Sequence, residues 1–229
     1  MRIGSLLFRT GQRRVRRAGR LGFTLLELMV VLAIVTVLSV AAVPAVEGTI
    51  SSIQLKGSAN SVIAQLDLAR QTASARNLPV QVRLYQDTTK SRDNNGNFPF
   101  RILAIVIPAS ISGAASDEFV GHPEPMTGDV IIDSGSNYSS ILNPAAGSPG
   151  MQPIAATELT TAPAAVQSLP YIGFDYLANG RLALDPRQQW CLTILNQKKA
   201  YASNSSGPAA NFVSLIFDVQ TSRTTTYQP

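Results

Sequence analysis

The chain has 229 residues, a formal net charge of +5, a calculated isoelectric point near 9.7, one cysteine and one histidine. This length allows one modest globular domain together with one anchoring segment. The lone Cys191 excludes an intrachain disulfide and a cysteine-based metal cluster. The lone His122 excludes most zinc sites, and it excludes every histidine-based catalytic triad except one built on His122 itself.

The basic charge is concentrated at the N-terminus. Residues 1–22 contain no acid, while the rest of the chain carries 12 basic and 14 acidic residues. The product of a cut after this segment would therefore be mildly acidic and would have no bulk tendency to bind nucleic acid. The basic residues of this segment are Arg2, Arg9, Arg13, Arg14, Arg16, Arg17 and Arg20.

A long apolar run follows the basic segment. Residues 23–46 contain a single charged residue, Glu27. As a helix this run would be roughly 36 Å long, which is enough to cross a hydrocarbon core of about 30 Å. Basic residues lie mainly before the run, so the positive-inside rule predicts a cytoplasmic N-terminus, with residues 47–229 on the outer side of the inner membrane.

Two ordinary interpretations of this run leave Glu27 unexplained. A secretory signal peptide would be cut near the small residues that end at Ala45, and a plain anchor would stay uncut. A charged side chain at the centre of a bilayer costs on the order of 2.5–3.5 kcal/mol, less near its edge, so it normally has a partner. Glu27 could also snorkel to the cytoplasmic interface.

The ordered set Gly22, Phe23, Thr24, Glu27 and Pro44 resembles the leader and first helix of type IV pilins and type II secretion pseudopilins. The resemblance implies that a prepilin peptidase cuts between Gly22 and Phe23 and methylates Phe23. It also implies that Thr24 and Glu27 serve assembly, because the family acid pairs with the N-terminal amine of a neighbouring subunit. The implied partners are other pilin or pseudopilin subunits, an inner-membrane assembly platform and the lipid bilayer.

The helical pattern continues past the membrane segment. Pro44 should bend the helix near residues 40–44, because proline removes a backbone hydrogen bond and clashes with the preceding turn. Residues 47–78 form an amphipathic segment, which should end at Asn77-Leu78-Pro79. Its apolar stripe is suited to packing on a sheet and consists of Ile50, Ile53, Gly57, Val62, Ile63, Leu66, Ala69 and Ala73.

Residues 79–229 predict a β-rich head, so the expected fold class is α+β, with a long N-terminal helix on an antiparallel sheet. Residues 79–85 alternate apolar and polar as a half-buried strand does, and 98–107 should pair with them as a hairpin. Further strands are predicted at 171–176, 182–184, 190–195 and 211–219, followed by a terminal turn and strand. Asn179-Gly180 is a hairpin turn signal.

Residues 108–170 predict an irregular insertion with short strands, because this stretch is rich in Pro, Gly, Ser and Ala. Its one convincing strand is 129–133. The turn at Gly180-Arg181-Leu182, the strand after it and the C-terminal hairpin are similar to the head of H-type minor pseudopilins and FimT-like minor pilins. The insertion is longer than this subgroup implies.

The sequence offers little catalytic chemistry. His122 lies in a loop without clustered acids, and Cys191 in a strand reads as a small buried hydrophobe. No spacing of oxygen ligands indicates calcium, so no catalytic residue, metal or cofactor is predicted. The main prediction is a minor structural subunit of a type IV pilus or type II secretion filament. The alternatives are an anchored extracytoplasmic binding domain that never assembles and, more distantly, an enzyme built on His122.

Overall fold

A computed structural model describes residues 23–90, 92, 98–135, 138–142, 151–152, 162–197 and 211–228, with the backbone alone at 40–46 and 151–152. The predicted turn cluster at 92–97 lies largely outside the described residues, as do Gly22 and the rest of the basic segment. Contacts divide the chain into two compact units, Met1–Ala45 and Val46–Pro229.

The predicted α+β class is confirmed, since a helix packs on an antiparallel sheet. Helix α1 spans Leu25–Arg76, and it ends where the proline signal predicts. The long strands are β1 (Val80–Gln86), β2 (Phe100–Ile107), β7 (Tyr171–Tyr176), β8 (Trp190–Asn196), β9 (Phe212–Asp218) and β10 (Arg223–Tyr227).

The predicted insertion contains several short elements among its described residues. They are helix α2 (Ala109–Ser112), a 3-10 turn at Ser140–Leu142, and strands β3 (Glu118–Phe119), β4 (Glu124–Pro125), β5 (Val130–Ile132) and β6 (Met151–Gln152). The predicted strand at 182–184 is wrong: Leu182 makes only an isolated bridge to Tyr176. The Asn-Gly signal is nevertheless a turn, with Gly180 at a φ of 74°.

The strands form a single antiparallel sheet in the order β10-β9-β8-β5-β2-β1-β7-β6, and β3 and β4 pair with β2. The predicted hairpin of β1 and β2 is present, with Val82 opposite Ile105. A bulge interrupts their register beside Tyr85 and Gln86, which leaves Arg101 without a partner residue in β1.

The main core lies between the second half of α1 and one face of the sheet. Buried helix residues recur at steps of three and four, which places them on one face. They are Leu55, Ala59, Val62, Leu66, Ala69 and Ala73. The predicted stripe is therefore right from Val62 onward and wrong before it: Ile50 is 49% exposed and Ile53 is 65% exposed, while Leu55 takes the buried position.

The other face of the sheet is also covered. Tyr85, Ile102, Ala104 and Val106 form a second, smaller core with Ala162, Val166 and Tyr171. Strand β1 is consequently buried along nearly its whole length. The half-buried strand that was predicted from the alternation of residues 79–85 is therefore wrong. The predicted insertion supplies this second cover, because Ala162 and Val166 belong to it.

Candidate assembly site and polar clusters of the head

Thr24 begins the helix that carries the candidate assembly residues. Its Oγ1 accepts a hydrogen bond from the Glu27 backbone N–H at 3.2 Å, and its carbonyl accepts the Leu28 N–H at 3.2 Å. This is the geometry of an N-cap. Thr24 and Glu27 also have the spacing of a capping box, in which an acid favours the first helical turn.

This capping arrangement is a role that the sequence interpretation missed. The signal was present, because a threonine followed three residues later by a glutamate before an apolar run marks a helix start. Glu27 therefore has a local reason to stand in the first turn of α1, independent of the intersubunit pairing that the resemblance implies. The two roles are compatible, since the cap uses the backbone N–H of Glu27 and leaves its carboxylate available.

The first unit presents an unusually apolar surface. Every large apolar side chain from Phe23 to Leu38 is between 49% and 78% exposed. Apolar surface in contact with water costs about 25 cal/mol per Å², so a helix that is apolar on all sides is suited to burial against other apolar material. Within the described residues, no helix meets the joint requirement of length and apolar character for a membrane span.

Pro44 lies inside α1, whose backbone is assigned as helical on both sides of it. The bend predicted near residues 40–44 stays a prediction. The resemblance implies that the amine paired with Glu27 comes from a second subunit.

The two residues considered for other chemistry have ordinary surroundings. His122 is exposed in a loop, as predicted. Cys191 lies in β8 but is half-buried rather than buried as expected. Its N–H donates to Ser140 Oγ at 2.9 Å, and its thiol lies 3.4 Å from the Tyr138 carbonyl oxygen. Among the described side chains, no group of three or more His, Cys, Asp or Glu residues could hold a metal ion.

A buried polar cluster fastens the insertion to the sheet. The Arg83 guanidinium forms an ion pair with Asp117, and both side chains are only 4% exposed. Arg83 also donates to Gln81 Oε1 at 2.6 Å and lies 4.4 Å from the centre of the Tyr171 ring. Asp117 Oδ1 accepts the Ala109 N–H at 2.8 Å, which ties the start of α2 to the same point.

Tyr85 lies beside this cluster with its ring 5.2 Å from that of Tyr171. Its hydroxyl is buried and makes no hydrogen bond of standard geometry among the described residues, although the Arg83 side chain lies close to it. Burial raises the pKa of Tyr85 to about 12, although the nearby Arg83 guanidinium acts in the opposite direction. The phenol is therefore neutral at physiological pH.

Arg101 organises the loop that leads into β5. Its Nε donates to the Val130 carbonyl at 3.1 Å, and its Nη2 donates to the carbonyls of Met126, at 3.1 Å, and Gly128. Its Nη1 lies 3.4 Å from Asp87 Oδ2. Arg101 occupies the extra position at the bulge in β2, which residue type alone did not predict.

Arg101 and Asp87 also line a groove of about 280 Å³, whose other walls include Thr89, Met126, Gln167 and Leu169. Asp87 and three carbonyl oxygens surround the guanidinium, so the groove has no net positive charge with which to attract an anion. We therefore interpret the contacts of Arg101 as structural, because they hold the loop before β5 in place.

Comparison with known proteins bears on the N-terminal segment alone. Residues 17–43 match the prokaryotic N-terminal methylation motif. Neither the curated proteins nor the solved structures gave a match. The matched segment covers the Gly22–Phe23 bond, Thr24 and Glu27.

The motif supports prepilin-type N-terminal cleavage and methylation, and it supports the type IV pilin and pseudopilin superfamily. It indicates processing by a prepilin peptidase and assembly with other pilin subunits. Proteins that carry it are typically membrane-anchored and structural rather than catalytic. The matched segment lies outside the β-rich head.

Proposed function

We propose that this chain is a minor structural subunit of a type IV pilus or type II secretion filament, processed by a prepilin peptidase. The observation that carries the proposal is the methylation motif at residues 17–43, which coincides with a capped, outwardly apolar helix. The peptidase would cut after Gly22 and methylate Phe23, and Glu27 would pair with the amine of a neighbouring subunit. The bend at Pro44 would fit the helix into the filament.

In this proposal the chain has four parts: a leader at 1–22, a membrane and filament-core helix at 23–46, an amphipathic helix at 47–78 and a head at 79–229. The subunit would cross the inner membrane once, with a cytoplasmic N-terminus, before it enters the filament through an assembly platform. Burial among similar helices would cover the exposed apolar side chains of the first unit.

We also propose that the head belongs to the H-type or FimT-like group. This proposal depends on how the C-terminal part of the head packs on α1. The turn at Gly180 packs closely on α1, since a Cβ there would collide with Ser74 Oγ and lie 3.3 Å from the Arg70 carbonyl oxygen. The hairpin of β9 and β10 meets the same region, because Arg70 Nη1 lies 3.4 Å from the Ser222 carbonyl oxygen. These contacts support a head in which the Gly-Arg-Leu turn and the terminal hairpin lock the end of the helix.

The decisive experiment is mass spectrometry of the N-terminus after co-expression with a prepilin peptidase. We expect a product that begins at methylated Phe23, and we expect Gly22→Val to block its formation because the cleavage site needs a small residue. Gly19→Val is the matched control within the leader and should be processed normally. A product that still begins at Met1, or one cut after Ala45, would contradict the proposal and favour the anchored binding domain or the signal peptide.

A further inference from the structure

Strand β10 forms an open edge of the sheet. Among the described residues it pairs only with β9, in a register that runs without a bulge from Arg223 opposite Asp218 to Tyr227 opposite Ser214. In an antiparallel strand, alternate residues direct both backbone groups away from the neighbour. The edge therefore presents regularly spaced amide donors and carbonyl acceptors with no strand opposite them in the described part of the chain.

The other described edges of this sheet are short or covered. Strand β6 at the far end has only two residues, and β3 and β4 pair along β2 where β5 does not reach. Loop hydroxyls complete the free side of β8: Ser139 Oγ accepts the Thr193 N–H at 3.0 Å, and Ser140 Oγ accepts the Cys191 N–H at 2.9 Å. Such devices prevent unwanted strand pairing.

Within the described part of the chain, no such device protects strand β10. It contains no proline or lysine, and its centre is the β-branched run Thr224-Thr225-Thr226. Its side chains are exposed or half-exposed, and Tyr227 is 54% exposed. The strand therefore combines a regular backbone with a composition that favours pairing.

The positive charge of Arg223 at the start of β10 favours a partner strand that carries an acid. Asp218, which faces Arg223 across the hairpin, is engaged by its own turn: it accepts the Gln220 N–H at 2.9 Å and the Thr221 hydroxyl at 2.6 Å. Within the described residues, no carboxylate lies within ion-pair distance of Arg223. An incoming strand with an acid at this position would complement the exposed guanidinium.

We propose that the β10 edge binds an extended polypeptide segment of another protein, which adds an antiparallel strand to the sheet. The segment would place an acidic side chain opposite Arg223 and an aromatic or β-branched side chain opposite Tyr227. Main-chain hydrogen bonds would provide affinity, and these flanking side chains would provide selectivity. The head would then have a docking surface for an extended segment of another protein.

A second copy of the chain fits this edge less well. Two β10 strands paired antiparallel are related by a two-fold axis normal to the sheet, so the helical segments packed on the two sheets would run in opposite directions. Subunits of one filament are related by rotation and translation about its axis and all run in the same direction, so two copies within it cannot meet in this way. This step, unlike the rest of the argument, rests on the proposed function.

Strand β9 supplies a probe, because it already pairs antiparallel with β10 and places Asp218 opposite Arg223. A labelled peptide copying Phe212–Asp218, with a short lysine tag for solubility, is titrated against the full chain in mild detergent. Fluorescence anisotropy should show saturable binding. A peptide of the same composition in scrambled order should bind at least about tenfold more weakly, because affinity depends on register and on the acid.

Two proline variants test the edge directly. Thr225→Pro and Thr226→Pro occupy neighbouring positions, so one removes an N–H that points outward and the other removes one bonded to β9. Circular dichroism melting identifies the variant that folds normally, and that variant should weaken peptide binding about tenfold. Arg223→Gln should lower affinity for the acidic probe but not for a probe in which asparagine replaces the aspartate.

Three outcomes would overturn the proposal. They are equal binding of the native-order and scrambled peptides, undiminished binding by the well-folded proline variant, and sedimentation that shows a dimer abolished by the same variant, since the edge would then take a second copy. N-terminal processing is measured separately. A failure of the peptide-binding experiment therefore does not affect the result of the cleavage experiment, and a failure of the cleavage experiment does not affect the peptide-binding result.

Discussion

At the scale of single residues, the head contains two carboxylates whose surroundings act in opposite directions. Asp175 is partly buried, and burial raises the pKa of its carboxyl although Gln81 Nε2 donates to it at 3.0 Å. Asp218 is fully exposed, and hydrogen bonds from the Thr221 hydroxyl and from the backbone of its own turn lower the pKa of its carboxyl. The environment, rather than residue type, decides which carboxylate favours the folded state.

The two residues should therefore show opposite pH dependence. The folded-state pKa of Asp175 exceeds the unfolded value near 3.8, so its charge destabilises the fold above that folded pKa, and the penalty fades as the pH falls through it. We expect Asp175→Asn to raise the unfolding midpoint at pH 7 and to lose this advantage toward pH 4. The measurement is urea unfolding at several pH values.

Asp218→Asn is the matched control for this prediction. Because the pKa of Asp218 is lowered on folding, its carboxylate stabilises the fold above the unfolded pKa, and this contribution is lost as the pH falls through the folded one. The variant should be less stable than the original chain at pH 7, with a deficit that disappears in acid. Equal behaviour of the two variants would contradict the assigned environments.

At the scale of elements, the long insertion acts as part of the fold. The Arg83–Asp117 ion pair joins the middle of β1 to the segment before β3, and Ala162 and Val166 pack on the same face of the sheet. A buried ion pair gives little net stability, but the loss of one partner leaves an uncompensated charge in a dry site. The insertion should therefore be sensitive to the loss of a single side chain.

We expect Asp117→Ala to destabilise the head by about 3–5 kcal/mol, because Arg83 would stay buried without its partner. The adjacent Glu118→Ala is the control: its ion pair with Arg76 is surface-exposed, at 45% and 48%, and should cost at most about 1 kcal/mol. Urea unfolding of the full chain in mild detergent measures both.

A double variant separates the charge from the packing. Arg83→Met combined with Asp117→Ala removes both charges, so it should recover part of the stability that the single variant loses. If Asp117→Ala costs no more than Glu118→Ala, the ion pair does not fasten the insertion to the sheet.

At the scale of the whole molecule, the proposed filament requires the negative charge of Glu27, whereas the N-cap of α1 does not. The cap uses the backbone N–H of Glu27, which glutamine retains, so Glu27→Gln should preserve the helix start while it removes the charge. We expect this variant to be cleaved normally and to enter filaments at a small fraction of the normal level. Peptidase processing and recovery in sheared filaments measure the two steps.

Two controls separate the possible roles of this residue. Glu47→Gln neutralises another exposed acid on the same helix and should assemble normally. Thr24→Ala removes the cap and keeps the charge, so a defect as large as that of Glu27→Gln would indicate that helix initiation matters more than charge pairing. Normal assembly of Glu27→Gln would count against the pairing altogether.

Local patterns in the sequence predicted the N-terminal segment, the end of α1 at Arg76 and the long strands, because proline, glycine and alternation act over a few residues. They failed at the start of the buried stripe, where Ile50 and Ile53 are exposed and Leu55 is buried. The reason is that periodicity defines an apolar face but does not show which turn first reaches the sheet.

The sequence by itself determined the features that neighbouring residues encode: a basic segment, a glycine, a helix cap with a single acid and an apolar run. Only the tertiary structure decided that both faces of the sheet are covered, that Arg83 meets Asp117, and that β10 pairs on one side alone among the described strands. These features join residues far apart in the chain. Their energies come from burial and charge compensation, which depend on what the fold brings together.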